Sequence, residues 1–141
     1  MELNLHKLNS ELLELQRLIG IANLRLEEKN EELRRLNSAL SQLQLNKSDF
    51  NRTKSICIEP EFTTKTLHGN NAAKIHNFRE NELQVSFSAI SDKDISDAEN
   101  RIIVQINQIK QEIYVIESNI SSMETQHTNV NRQKREVENQ S

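Results

Sequence analysis

A heptad repeat of apolar residues runs through the first third of this 141-residue chain and constrains its fold more than any other feature. Between residues 5 and 50, side chains at alternating steps of three and four residues are apolar at every position except two. Such a long seam predicts a helix that packs along one face against another helix. The apolar seam positions are Leu5, Leu8, Leu12, Leu15, Ile19, Ala22, Leu26, Leu33, Leu36, Leu40, Leu43 and Phe50.

The two seam positions without an apolar residue are Lys29 and Lys47. A lysine at a seam can select register or partner, because its stem packs while its ammonium group reaches water. The alternative is that each lysine marks a place where the seam is simply exposed to solvent. The sequence leaves both interpretations open.

A second seam with the same steps occupies the C-terminal half of the chain. His127 and Lys134 fill two of its positions, so we expect weaker packing and fraying in the last turns. The apolar members of this seam are Ile95, Ile102, Ile106, Ile109, Ile113, Ile116, Ile120, Met123, Val130 and Val137.

A shorter stripe lies upstream of the second seam. Residues 91–94 between them are polar and poor in helix propensity, so we expect the helix to continue there with a bend or a drift of its buried face. The stripe predicted to be buried consists of Ile75, Phe78, Val85 and Ala89, with Glu82 filling one position.

The heptad pattern stops between the two halves. Residues 55–66 are rich in β-branched residues and contain Pro60, the one proline of the chain. Because proline lacks a backbone donor and disfavours the α region for its predecessor, the first helix should break nearby. Residues 67–70, with Gly69, carry a turn signal.

These features predict one all-α domain spanning residues 1–141. Its elements are a helix over 4–54, an irregular stretch over 55–66, a turn at 67–70 and a helix over 71–137. A short connection makes two such helices antiparallel neighbours. The predicted fold is a long antiparallel two-helix hairpin of coiled-coil type.

Apolar residues also occur outside the seams. Isolated surface hydrophobics are common, but their clustering between residues 13 and 24 favours a second interface over chance exposure. We therefore expect the hairpin to form half of a larger helical bundle with a partner. The off-seam residues are Leu13, Leu18, Ile21, Leu24, Leu45, Ile103, Val104 and Val115.

The sequence shows none of the residue spacings that are typical of catalytic or ligand-binding sites. Cys57 and the four histidines do not form a metal-binding spacing, and two isolated glycines cannot build a phosphate loop. The sequence predicts neither a membrane span nor a classical signal peptide. A net charge of −3 with mixed signs argues against nucleic-acid binding. We expect a non-enzymatic protein without cofactor or metal.

The segment over residues 67–81 reads Leu-His-Gly-Asn-Asn-Ala-Ala-Lys-Ile-His-Asn-Phe-Arg-Glu-Asn. With a leucine-heptad helix before it and an isoleucine-rich helix after it, it resembles the WXG-type small helical proteins of type VII (ESX-like) secretion in Gram-positive bacteria. More closely, the chain resembles the YwqH-like family that accompanies LXG-domain toxins. Leu67 stands where that family has tryptophan.

The resemblance implies a partner and targeting factor. Such a protein binds the helical N-terminal domain of an LXG toxin, keeps it soluble and helps present it to the secretion ATPase, in some cases with a second small helical protein. It would be cytoplasmic before export and could leave the cell with its partner.

Two groups of residues are candidates for this binding. At the turn, Phe78 and Glu82 have the spacing of an export element, but their plainer interpretation is a core residue at the start of the helix beside an acid. We find no C-terminal export element, so the partner would have to supply it. The turn candidates are Leu67, His68, Gly69, Phe78 and Glu82. The candidates along the helices would pack either in the intramolecular core or against a partner. They are Leu12, Leu13, Leu15, Ile19, Ile21, Leu24, Ile109, Ile113 and Ile116.

A structural role is the alternative to toxin binding. The same seams would support a coiled-coil homodimer that acts as a spacer or tether, with the resemblance at the turn accidental.

Overall fold

A computed structural model describes residues 2–53 and 70–140 of the chain. The predicted fold class is confirmed: these residues form an all-α helical hairpin and contain no β-strand. The predicted irregular stretch 55–66 and residues 67–69 of the predicted turn lie outside the described residues. The elements are α1 (Glu2–Thr53), α2 (Asn70–Phe78), α3 (Gln84–Ala89), α4 (Ile95–Asn139) and two π-helical segments, π1 (Arg79–Leu83) and π2 (Ile90–Asp94).

Contacts divide the chain into two compact units. The terminal unit combines residues 1–35 with residues 106–141, and the central unit comprises residues 36–105. In the terminal unit, Gln16 lies 3.4 Å from His127 and Lys29 lies 2.8 Å from Glu112. Because position rises along α1 as it falls along α4, the two helices of this unit are antiparallel.

The core of the terminal unit is built from the two seams. Leu12, Leu15 and Val130 form a buried cluster, and Leu8 and Met123 pack against it. The seam residues of α4 are buried as predicted, because isoleucine recurs every three or four residues along the face that meets α1. The other buried seam residues of this unit are Ile106, Ile109, Ile113, Ile116 and Ile120.

In the central unit, α1 contacts the second arm of the hairpin through aromatic and polar groups. The ring centroids of Phe50 and Phe87 are 5.9 Å apart. Lys47 Nζ lies 3.1 Å from Ser96 Oγ and 3.4 Å from Glu99 Oε1. At its seam position, Lys47 therefore pairs with residues of the other helix and is not simply exposed to water.

The stripe predicted over residues 75–89 is wrong: its members are exposed. Phe78 is 51% exposed and Val85 is 62% exposed, and Ile75, Glu82 and Ala89 also face solvent. The residues described as buried or half-buried in this region are His76, Arg79, Leu83, Gln84, Phe87 and Ser88.

The two π-helical segments explain this shift. The amide of Gln84 donates to the carbonyl of Arg79, and the amide of Ile95 donates to the carbonyl of Ile90, each five residues back instead of four. Each wider turn takes up an extra residue, so the buried face moves out of the heptad register.

Gly20 lies on the exposed surface of α1, and a Cβ built there would meet nothing within 4 Å. Glycine inside a helix is less favourable than alanine by about 1 kcal/mol. We expect Gly20→Ala to raise the free energy of unfolding by about this amount, as measured by urea denaturation. Ala39→Gly, at another exposed position of α1, should lower it by a similar amount; a destabilising Gly20→Ala would contradict the prediction.

Candidate helix-binding groove

One flank of the terminal unit carries an apolar groove between α1 and α4. Its first part is a depression of about 360 Å³. Leu18 and Ile21 are 37% and 45% exposed there, large fractions for residues of this type. The apolar residues that line this part are Leu18, Ile21, Ala22, Ile116 and Met123.

The groove continues towards the end of the unit. A second depression of about 480 Å³ adds Val115 to the apolar lining and ends at Lys29 and Glu112. Arg25, Ile116 and Asn119 line both parts, so the two depressions are continuous. The apolar groove thus spans residues 18–29 of α1 and 108–123 of α4, which along α1 corresponds to roughly 18 Å.

The heptad explains why this flank is apolar. Leu18 and Ile21 immediately precede the seam residues Ile19 and Ala22, and Val115 precedes Ile116 on α4 in the same way. The opposite flank of α1 carries Gln16, Asn23 and Asn30 at intervals of seven residues. On α1, the flank that lines the groove is therefore apolar, and these three positions on the other flank are polar.

An ion pair closes the polar end of the groove. Lys29 Nζ lies 2.8 Å from Glu112 Oε2 and 3.4 Å from a carboxylate oxygen of Glu32. The hydrogen bond from Lys29 is the main cause that lowers the pKa of Glu112, and the same bond raises the pKa of Lys29. Because it joins α1 to α4, this pair supports the interpretation of Lys29 as a register selector.

Exposed ion pairs cover much of the remaining surface of α1. Arg17 donates to Glu14, and Arg34 donates to Glu31 over 2.6 Å. The bond from Arg34 is the main cause that lowers the pKa of Glu31 to about 2. These pairs leave the carboxylates on this surface ionised and engaged with neighbours three residues away.

The lowered pKa values make stability depend on pH. Glu14, Glu31 and Glu112 all have a lower pKa in the folded chain than the ordinary value of 4.5. Their contribution is therefore present above about pH 4.5 and is lost as the pH falls towards 2. We expect the urea midpoint to fall over this interval, and Glu31→Gln to reduce the change. A midpoint that rises on acidification would contradict this assignment.

The structure places most helix candidates in the core and two, Ile21 and Ile116, in the lining of the groove. Ile21 lines the apolar groove, whereas Leu13 and Leu24 are exposed outside its lining. The candidates that are buried or half-buried between the helices are Leu12, Leu15, Ile19, Ile109, Ile113 and Ile116.

The turn candidates are only partly described. Phe78 and Glu82 are exposed on α2 and π1. Leu67, His68 and Gly69 lie outside the described residues, so the predicted turn stays a prediction.

Three charged residues of the groove and of the ion pairs between the helices were not among the site residues predicted from the sequence. They are Arg25, Glu99 and Glu112. Arg25 follows Leu18 by seven residues, and this interval is the signal that places it on the groove flank. Glu99 stands three residues before Ile102, at a seam step, opposite Lys47. Glu112 carries no comparable signal, because its pairing depends on how α4 aligns with α1.

The part of the chain that the structure describes contains no cluster of three or more metal-binding side chains. In the same ranges, no helix combines the length and apolarity that a membrane crossing requires. Comparison with protein families, curated proteins and solved structures finds no match for this chain. Among the described residues, the apolar groove is thus the feature that supports a binding function.

Proposed function

We propose that this chain is a non-enzymatic partner and targeting factor that binds the helical N-terminal domain of an LXG-type toxin. The observation that carries the proposal is the apolar groove on one flank of the terminal unit. The resemblance of residues 67–81 to the YwqH-like proteins supports the identity of the partner, and the groove supports the mode of binding.

The shape of the groove favours a helix as the bound element. Two antiparallel helices form its walls, and its length of roughly 18 Å accommodates about three helical turns. A helix with apolar residues at intervals of three and four residues would cover Leu18, Ile21 and Val115 together. Such docking would extend the hairpin into a larger helical bundle.

Arg25 gives the groove a charge preference. It lies exposed at the rim of both parts of the groove, beside the apolar residues Leu18 and Ile21. Lys29, by contrast, is already paired with Glu112. A bound helix with an acidic side chain facing Arg25 would be favoured over one with a basic side chain there.

Delivery to the secretion machinery completes the proposed role. The complex forms in the cytoplasm of a Gram-positive bacterium, holds the toxin domain soluble and is presented to the secretion ATPase of a type VII (ESX-like) system. A second small helical protein joins the complex in some such systems, and whether the chain is exported with its partner is left open. These steps rest on the resemblance at residues 67–81.

The groove can be tested with the N-terminal domain of an LXG toxin encoded beside this chain. Wild-type chain should co-purify with that domain, and calorimetry should measure their affinity. Ile21→Asp should weaken binding by about tenfold or more, because a buried apolar side chain contributes about 1.5–3 kcal/mol and 1.4 kcal/mol is tenfold. Leu45→Asp is the matched control: it lies on α1, is 61% exposed and is not in the groove lining.

Two results would count against the proposal. Equal loss of affinity with Leu45→Asp would show that the groove is not the binding surface. Lack of affinity for the toxin domain, together with a stable homodimer in sedimentation, would instead favour the structural spacer or tether.

A further inference from the structure

Residues 70–94 of the central unit contain two stripes that compete for burial. The π stripe, which is buried or half-buried, consists of His76, Arg79, Leu83 and Phe87. The heptad stripe, which is exposed, consists of Ile75, Phe78, Glu82, Val85 and Ala89. Both stripes advance in steps of three and four residues, as the buried face of a packed helix does.

The π-helical segments decide which stripe is buried. An α-helix turns by about 100° per residue, because a full turn takes 3.6 residues. Two extra residues, one in π1 and one in π2, therefore rotate α2 by about 200° relative to an uninterrupted helix that continues from α4. If both segments adopted ordinary α-helical hydrogen bonds, Phe78 would turn inward and Arg79 would turn outward.

Neither arrangement is better in every respect. The observed one buries Arg79, which is 7% exposed, and leaves Ile75, Phe78 and Val85 in contact with water. It also requires two π-helical turns, which are rare in helices. The alternative would turn Phe78 and Val85 inward. It would turn Ile75 outward together with Arg79, one helical turn away, and would remove Phe87 from its ring contact with Phe50.

We propose that residues 70–94 exchange between two helical registers. In the π register, which the structure shows, the heptad stripe is exposed. In the all-α register, the π1 and π2 segments are α-helical and Phe78 and Val85 are buried. The exchange exposes or buries an apolar surface, and the change is confined to residues 70–94.

Phe78 and Phe87 report on the two registers in opposite ways. Fluorine NMR of the full chain labelled with 4-fluorophenylalanine, assigned by Phe→Leu variants, should show two exchanging resonances for each ring. The minor population should be the same for both rings. A soluble paramagnetic reagent should broaden the major resonance of Phe78 and the minor resonance of Phe87. One resonance per ring without an exchange contribution would overturn the proposal.

Variants that fix the register provide the control. Phe78→Asp opposes the all-α register, so it should remove the minor resonance of Phe87. Deleting Asn81 and Asp92 together removes the extra residue from each π segment while keeping the π stripe buried, and should have the same effect. Val104→Asp, at an exposed site of the same unit, should leave both populations unchanged. Persistence of the minor Phe87 resonance in both register variants would contradict the proposal.

Discussion

Ile109→Ala should lower the free energy of unfolding by about 2–5 kcal/mol. Ile109 is 4% exposed, and its neighbours along the seam, Ile106 and Ile113, are buried as well. Alanine would leave a cavity between the two helices. Few large side chains are available to fill it, since aromatic residues make up only 4% of the chain. Urea denaturation followed by far-UV circular dichroism measures the change.

Ile103→Ala is the matched control for this change. Ile103 also lies on α4 but is 39% exposed, so its truncation should cost about 1 kcal/mol or less. If the two variants lost the same stability, burial in the seam would not be what stabilises the fold.

Lys47→Leu should destabilise the central unit by about 1–3 kcal/mol although it places an apolar residue at an apolar seam. Glu99 has a side chain only 15% exposed, and Lys47 is its counter-ion at 3.4 Å. Removing one partner leaves a largely buried carboxylate unpaired, whereas replacing both partners removes the charge as well. The double variant Lys47→Leu with Glu99→Leu should therefore recover at least wild-type stability, as measured by urea denaturation.

A second readout tests whether the pair selects the register. Sedimentation velocity should show one species for the wild type and added self-association for the double variant, because a continuous apolar seam has lost its polar selector. A double variant as unstable as Lys47→Leu alone would contradict the ion-pair interpretation.

The seams were predictable because burial in a two-helix packing repeats at a fixed interval. Leu12, Leu15 and Ile116 are buried where the three-and-four spacing places them. The flank residues Leu18 and Ile21 are exposed beside the seam for the same reason. Periodicity thus locates both the core and the apolar flank.

Two features could not be predicted from periodicity. The π-helical segments change the register by hydrogen bonds that reach five residues back. The drift of the buried face expected over residues 91–94 falls on π2, but π1 contains no proline or glycine that would mark its interruption. The pairing of Lys29 with Glu112 depends on how far one antiparallel helix is displaced along the other, which the heptad leaves undetermined.

The difference between the two flanks of the terminal unit limits how many molecules can assemble on it. A unit that was apolar on both flanks would recruit a neighbour on each side, and the contacts would propagate into an open-ended filament. Because Gln16, Asn23 and Asn30 make the other side of α1 polar, the proposed helix has one apolar flank of this unit to dock on. We therefore expect one bound helix per chain in the proposed complex.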